Sequence, residues 1–173
     1  MPQDLSAARW PAHTARLTIR PAEPRDLDAT WAFRQLPEVS EWITHRFTER
    51  TAYAAEFLDP ERLSSTLVVE RDGAVVGDLM LRLGDPWAQA EVAESVRGTQ
   101  AELGWTIDPT HGGQGLATEA VAEAVRICFE ELGVRRVVAL CFADNEPSWR
   151  LMERIGMRRE EHNVRDSLHR SGR

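Results

Sequence analysis

The sequence has few of the features that mark several protein classes. Its 173 residues include only two cysteines, Cys128 and Cys141, and their spacing fits neither a metal site nor a redox pair. Basic residues are outnumbered, and a net charge of −7 argues against binding to the phosphate backbone of nucleic acids. No uncharged apolar run reaches the roughly 20 residues that a membrane span needs. We therefore expect a cytoplasmic protein without a metal site that binds neither nucleic acid nor membrane.

The sequence predicts no second-domain linker, internal repeat or signal peptide. Residues 1–14 are polar, contain Pro2 and Pro11, and have no apolar h-region, so they predict a flexible arm. A hydrophobic content of 42% is sufficient for one buried core at this length. Residues 15–173 are therefore predicted to form a single domain.

The first half of the chain predicts strands and two helices. The patterns indicate a strand at 16–20, helices beginning near Pro24 and after Thr48, and strands at 66–71 and 74–83. Asp72-Gly73 between the last two strands is a strong hairpin signal. Residues 85–100 are polar and irregular, and they are expected to form a surface excursion.

The second half predicts a crossover connection. A strand at 101–107 is followed by a helix at 115–132 and by the apolar run 137–142, which is typical of a strand buried on both faces. That order makes the two strands parallel neighbours. A last short helix is expected at 147–155.

Three glycines lie between the strand at 101–107 and the helix that follows it. Gly112, Gly113 and Gly115 allow the backbone to turn its N–H groups toward an anion, and the helix start adds free amides and a positive dipole end. A diphosphate suits such a turn. The alternative is a turn that only caps the helix. P-loop and dinucleotide fingerprints fit worse, because no Gly-Lys-Ser/Thr follows and the last glycine of G-x-G-x-x-G is missing.

These residues resemble a known family. Pro109 followed by Gly112-x-x-Gly115-x-Ala117 is similar to the acetyl-CoA signature of the GNAT superfamily of N-acetyltransferases. The segment 101–105, Ala117-Thr118-Glu119-Ala120, and Asn145-x-x-Ser148 resemble its RimJ/RimL subgroup. The resemblance implies an α+β fold, with a mixed and mostly antiparallel sheet that splays at the cofactor slot and is flanked by helices.

By that resemblance, acetyl-CoA is the co-substrate and lies in the slot. The implied cofactor-binding residues are Trp105, Ile107, Gly112, Gly113, Gln114, Gly115, Leu116, Ala117, Thr118 and Asn145. One departure is visible: Gly112 stands where the signature has Gln or Arg, so a side-chain contact to the diphosphate is missing there.

Acetyl transfer needs a deprotonated amine and a stabilised thiolate. Glu102 projects from its strand on the same face as Gly104 and is the candidate base. Ser148 is the candidate hydrogen-bond donor to the thiolate, because Met152 occupies the position at which many family members have tyrosine. The alternatives are a solvated carboxylate for Glu102 and helix capping for Ser148 and Asn145.

The predicted function is transfer of an acetyl group to a primary amine, either a protein N-terminus or a small molecule. Trp31, Trp42 and Trp105 are candidates to line the acceptor pocket, with core packing as the alternative. A non-catalytic acyl-CoA-binding module is the alternative function. The family continues through two further strands after Gly156, whereas this tail has room for one, around residues 159–168, which makes a homodimer conceivable.

Overall fold

The computed structural model describes residues 4–172. Its strands are β1 (Ala12–His13), β2 (Thr18–Pro21), β3 (Thr66–Arg71), β4 (Ala74–Gly84), β5 (Gln100–Ile107) and β6 (Arg136–Val138). Its helices are α1 (Leu27–Arg34), α2 (Pro37–Ser40), α3 (Arg50–Phe57), α4 (Pro60–Ser64), α5 (Leu116–Glu130) and α6 (Glu146–Arg154).

The six strands form one sheet in the order of the sequence. Neighbours from β1 to β5 are antiparallel, and only β5 and β6 are parallel. The connection from β5 through α5 to β6 is therefore the predicted crossover. The expected α+β class, with a mixed and mainly antiparallel sheet, is confirmed.

Helices cover both faces of the sheet. On one face, Ala101 and Leu103 of β5 are buried in the main core together with Ala120 and Ile127 of α5. On the other face, Arg34 of α1 is hydrogen-bonded to Asp78 of β4, with 2.8 Å between Nε and Oδ2. The two faces alternate along β5, so its even-numbered side chains point toward the α1 side. Among residues 4–172, no helix is long and apolar enough to span a bilayer.

The predicted strand at 137–142 is wrong in length and in burial. Pairing with β5 ends at Val138, and Leu140 is 80% exposed. Within the described residues no strand lies on the outer side of β6, so nothing holds residues 139–142 in extended pairing. An apolar run shows which residues can form a strand, but it does not show whether a neighbouring strand is present.

The predicted strand at 159–168 is also absent. The tail instead folds back, and the ring of His169 packs between Trp42 and Phe142, with centroid distances of 5.3 Å to each. Arg170 donates from Nη2 to the carbonyl oxygens of Ser40 and Ile43 at 2.9 and 2.6 Å. The tail thereby joins the segment after α2 to the segment after β6.

The N-terminal segment differs from the expected flexible arm where the structure describes it. Residues 1–3 lie outside the described part, but Leu5, Ala8 and Ala12 are buried in the main core. Trp10 donates from Nε1 to the Leu5 carbonyl at 2.6 Å, and Ala12 pairs with Ile19. Burial of these apolar side chains outweighs the polar composition that predicted a loose segment.

Candidate active site

The sheet opens along the outer edge of β5. Only its first residues pair with β6, in the register Gln100 with Arg136 and Glu102 with Val138. Residues 103–107 have a partner on the β4 side and none on the β6 side among the described strands. The two strands therefore diverge just after Glu102 and leave a V-shaped gap.

Two hydrogen bonds, one at each end of β5, show which of its main-chain groups face this gap. The carbonyl of Thr99 accepts from Arg135 N on the β6 side at 2.7 Å, and Asp108 N donates to Val76 O on the β4 side at 2.8 Å. Between them β5 pairs with β4 without a register shift, so the main-chain direction alternates regularly. The N–H and C=O groups of Trp105 and Ile107 therefore point into the gap.

The glycine turn presents a row of unpaired amides at the end of β5. Gly113 and Gly115 adopt positive φ angles of 71° and 76°, a conformation that favours glycine. The N–H groups of residues 113–118 have no acceptor among the described residues, because the first helical bond to this turn comes from Glu119 N to Gly115 O. Free amides at the start of α5 form the anion-binding arrangement that the sequence predicted.

Charged side chains hold this turn in place. Arg16 donates from Nη1 to the Gln114 carbonyl at 2.9 Å, and its Nη2 lies 2.6 Å from Glu119 Oε2. Burial opposes ionisation of Glu119, but hydrogen bonds from Thr14 and Arg16 outweigh it and lower the pKa of this carboxyl below its usual 4.5. Arg71 donates from Nη1 to Gln114 Oε1 at 2.6 Å. Neither Arg16 nor Arg71 was predicted, because each lies far along the chain from the glycines.

The two predicted chemical groups lie on different elements, β5 and α6. Glu102 is at the last paired position of β5, where its Oε2 is 3.8 Å from Arg82 Nη1 and its side chain is 37% exposed. Ser148 is half-buried on the first turn of α6, and its hydroxyl has no partner among the described residues. Its main-chain N–H donates to the Asn145 carbonyl. Hydroxyl capping by Ser148 is therefore not what the structure shows.

Asn145 precedes α6 and is only 9% exposed. Its side chain makes no capping hydrogen bond, so the predicted capping role is not realised by the amide. No buried side-chain nitrogen or oxygen lacks a hydrogen-bond partner among the described residues, so the unbonded amide atoms of Asn145 are accessible to solvent. They are therefore available to a ligand.

The three tryptophans considered for an acceptor pocket lie in separate clusters. Trp31 packs on Tyr53, at 5.4 Å between ring centroids, Trp42 packs on Phe142, and Trp105 packs against the main core. Burial raises the pKa of Tyr53 to about 12. The only tyrosine of the chain is therefore a neutral packing residue at physiological pH.

A buried ion pair joins Arg34 of α1 to Asp78 of β4. Arg34 and Asp78 have side-chain exposures of 13% and 3%. Burial disfavours the charged guanidinium, but the Asp78 carboxylate outweighs it and raises the pKa of Arg34 above its usual range. The pair fixes α1 to the face of β4 that carries Asp78, opposite Thr106 of β5. No sequence pattern marked this pair.

Comparison with known proteins shows which family the chain and its fold resemble. The uncharacterized N-acetyltransferase YnaD of Bacillus subtilis is 32% identical over 149 residues, which cover 85% of this chain and 82% of that protein. A GNAT-family acetyltransferase from Bacillus anthracis superposes with a TM-score of 0.77 at 25% identity, over 92% of this chain and 90% of that one.

RimJ of Mycobacterium smegmatis, in complex with CoA-disulfide, has the same fold. It superposes with a TM-score of 0.68 at 21% identity, over 88% of this chain and 78% of that one. The model of the acetyltransferase (GNAT) domain matches residues 16–158. That match spans more than half of the sequence, and the chain therefore belongs to the GNAT family of acetyltransferases.

Proposed function

We propose that this protein transfers the acetyl group of acetyl-CoA to a primary amine, and that the acceptor is a protein N-terminal α-amine, as in the RimJ/RimL subgroup. One observation supports it most: a row of unpaired amides, residues 113–118, stands beside an unpaired strand edge. The first feature suits a diphosphate, and the second suits the amide groups of a pantetheine arm.

The residues present fit coenzyme A in the proposed mode. Main-chain groups of Trp105 and Ile107 bind the arm as an added strand would, and the amides from Gly113 to Thr118 bind the diphosphate. The Asn145 amide, whose unbonded atoms are accessible to solvent, is available to the arm where α6 begins. Most of these contacts come from the backbone, so they depend on glycine conformation more than on side-chain identity.

The reaction needs one base and one acid. Glu102 removes a proton from the ammonium form of the acceptor, directly or through water, and the amine attacks the thioester carbonyl. An N–C bond forms as the C–S bond breaks, and the leaving thiolate accepts a hydrogen bond from Ser148. The thiolate then takes up the proton that the attacking nitrogen loses as it becomes an amide. An α-amine has a pKa of roughly 7.7–8.0, against about 10.4 for lysine, so an α-amine needs much less help with deprotonation than a lysine side chain does.

The acceptor assignment rests on that difference and on the resemblance of Ala117-Thr118-Glu119-Ala120 and Asn145-x-x-Ser148 to the RimJ/RimL subgroup. We expect peptides with a free N-terminus to be acetylated faster than peptides whose only amine is a lysine side chain. A panel that also contains amino acids and amino sugars tests the small-molecule alternative. Preference for any of these over free N-termini would overturn the assignment of the acceptor.

The catalytic roles are tested by release of free thiol from acetyl-CoA in the presence of the amine panel. Glu102→Gln is expected to lower kcat by at least about 100-fold, because a positioned base contributes about 10²–10⁴-fold. Ser148→Ala is expected to lower kcat by at least about 10-fold, because a hydrogen bond to a charged group such as the thiolate is worth at least about 1.5 kcal/mol. The loss in Glu102→Gln is expected to shrink as pH rises and the free amine becomes abundant.

Glu91→Gln and Ser64→Ala, both at exposed positions, are the matched controls and should retain full activity. Coenzyme A binding by all four variants, measured by calorimetry, should remain within twofold of the wild type. Binding of acetyl-CoA without amine-dependent thiol release would contradict the enzymatic proposal. Full activity in both Glu102→Gln and Ser148→Ala would contradict the assigned roles.

A further inference from the structure

A guanidinium lies next to the row of unpaired amides. Arg154, the last residue of α6, donates from Nη1 to Thr118 Oγ1 at 3.1 Å. Thr118 is in the first turn of α5, and its own N–H is among the unpaired amides. The helix dipole gives this end of α5 a partial positive charge, so two positive groups meet here.

The charge of Arg154 has no acidic partner within the described residues, since no carboxylate lies within ion-pair distance of it. Its neighbours on α6 and in the tail differ in this respect. Arg150 is paired with Glu146, Arg158 with Glu160, and Arg159 with Glu153. In a chain with a net charge of −7, an unpaired guanidinium held beside a helix N-terminus is an electrostatic cost that an anion removes.

The turn itself lacks the side chain that the family signature places there. Gly112 occupies that position, and a Cβ at residue 112 would lie 3.0 Å from the Pro109 carbonyl oxygen, closer than ordinary contact. The local backbone therefore disfavours a larger residue at 112. A positive side chain for the diphosphate has to come from another element, and α6 brings Arg154 to the adjacent turn.

We propose that Arg154 binds the diphosphate of coenzyme A and supplies the side-chain contact that Gly112 cannot make. A guanidinium has five N–H donors, and Thr118 uses one of them, so a planar pair remains for phosphate oxygens. Thr118 positions the group through its hydroxyl. The inference rests on the proposed function, because it assumes that coenzyme A binds at the glycine turn.

The test is calorimetric titration of the full-length protein with CoA and with 3′-dephospho-CoA. Arg154→Ala is expected to lower the affinity for both ligands equally, by about 10- to 100-fold, because a hydrogen bond to a charged group is lost. Arg154→Lys keeps the charge but lacks the planar guanidinium, so its affinity for both ligands should fall between those of the wild type and Arg154→Ala. Arg150→Ala, on the same helix but in an ion pair, is the matched control and should bind as the wild type does.

Three outcomes would overturn the inference in different ways. Binding of both ligands by Arg154→Ala within twofold of the wild type would show that Arg154 makes no contact. A loss confined to CoA would assign Arg154 to the 3′-phosphate. If the wild-type protein binds neither ligand, the cofactor assignment itself fails, and that failure is seen before any variant is compared. Because Arg154 is exposed, the variants should melt at the wild-type temperature, which checks that they fold.

Discussion

Two sides of the molecule, the one formed by β5, α5 and α6 and the one formed by α1 to α4, are built on different principles. On the side of β5, α5 and α6, the candidate ligand contacts are mainly backbone atoms whose directions are set by strand pairing and by two left-handed glycines. On the side of α1 to α4, packed aromatic rings surround Tyr53 over the buried pair of Arg34 and Asp78. Backbone geometry leaves a short local signature in a sequence, whereas a packed side-chain cluster does not. The proposed cofactor side therefore has a motif in the sequence, and the aromatic side has none.

The largest expected effect comes from Gly115→Val on the backbone-built side. Its φ of 76° is strained for a β-branched residue, so the turn must change and the amides lose their common direction. We expect affinity for acetyl-CoA to fall more than about 100-fold, because losing two hydrogen bonds to a charged group costs at least about 3 kcal/mol. Calorimetric titration with acetyl-CoA measures this affinity.

The control is Gly133→Val, which has similar strain at a φ of 65° near the far end of α5. That variant should lose stability but keep its affinity for acetyl-CoA. Unchanged affinity of Gly115→Val for acetyl-CoA would show that ligand binding on the side of β5, α5 and α6 does not depend on glycine conformation.

Asp78→Ala is the strongest expected perturbation of the side-chain-built side. It leaves the Arg34 guanidinium buried without its counter-ion, and we expect the free energy of unfolding to fall by about 3–5 kcal/mol. Urea denaturation measures this change. The double variant Arg34→Met with Asp78→Ala should recover most of the loss, since no charge is then buried. Equal stability of Asp78→Ala and the double variant would mean that the cost comes from packing and not from charge.

A smaller effect is expected from Glu119, which fastens residues 14–16 to the start of α5. Its pKa is lowered in the folded state, so its contribution to stability is complete above about pH 4.5 and is lost as pH falls through the folded value. Glu119→Gln should reduce stability at pH 7 by less than about 1 kcal/mol and should flatten the acid limb of the stability curve. Thermal melts from pH 7 to 3 measure the difference, and parallel curves would exclude this role.

The sequence predicted those elements whose signal is local. The hairpin of β3 and β4 agrees with its predicted bounds to within one residue at Gly84, because Asp72-Gly73 allows few other turns. Helix α5 begins at Leu116, one residue after the predicted start, and β5 starts one residue before Ala101. The glycine turn has the predicted free amides for the same reason, since positive φ and a helix start are both encoded within a few residues.

Features that depend on distant partners could not be predicted in this way. Residues 139–142 were expected to be buried, but burial needs an outer strand that the described chain does not supply. Arg16 and Arg154 reach the glycine turn from opposite ends of the domain, and no spacing rule connects them to it. The tail position of His169 between two aromatic rings likewise depends on tertiary packing alone.

The open edge of β5 has a consequence for how this protein tolerates mutation. Every residue type except proline presents the same N–H and C=O, so in the proposed mode most substitutions of Trp105 or Ile107 leave the donors and acceptors of the edge intact. Binding of the co-substrate then does not constrain those side chains, and only packing, as of Trp105 against the main core, does. Related sequences should therefore vary in side chain along this strand edge and should lack proline there.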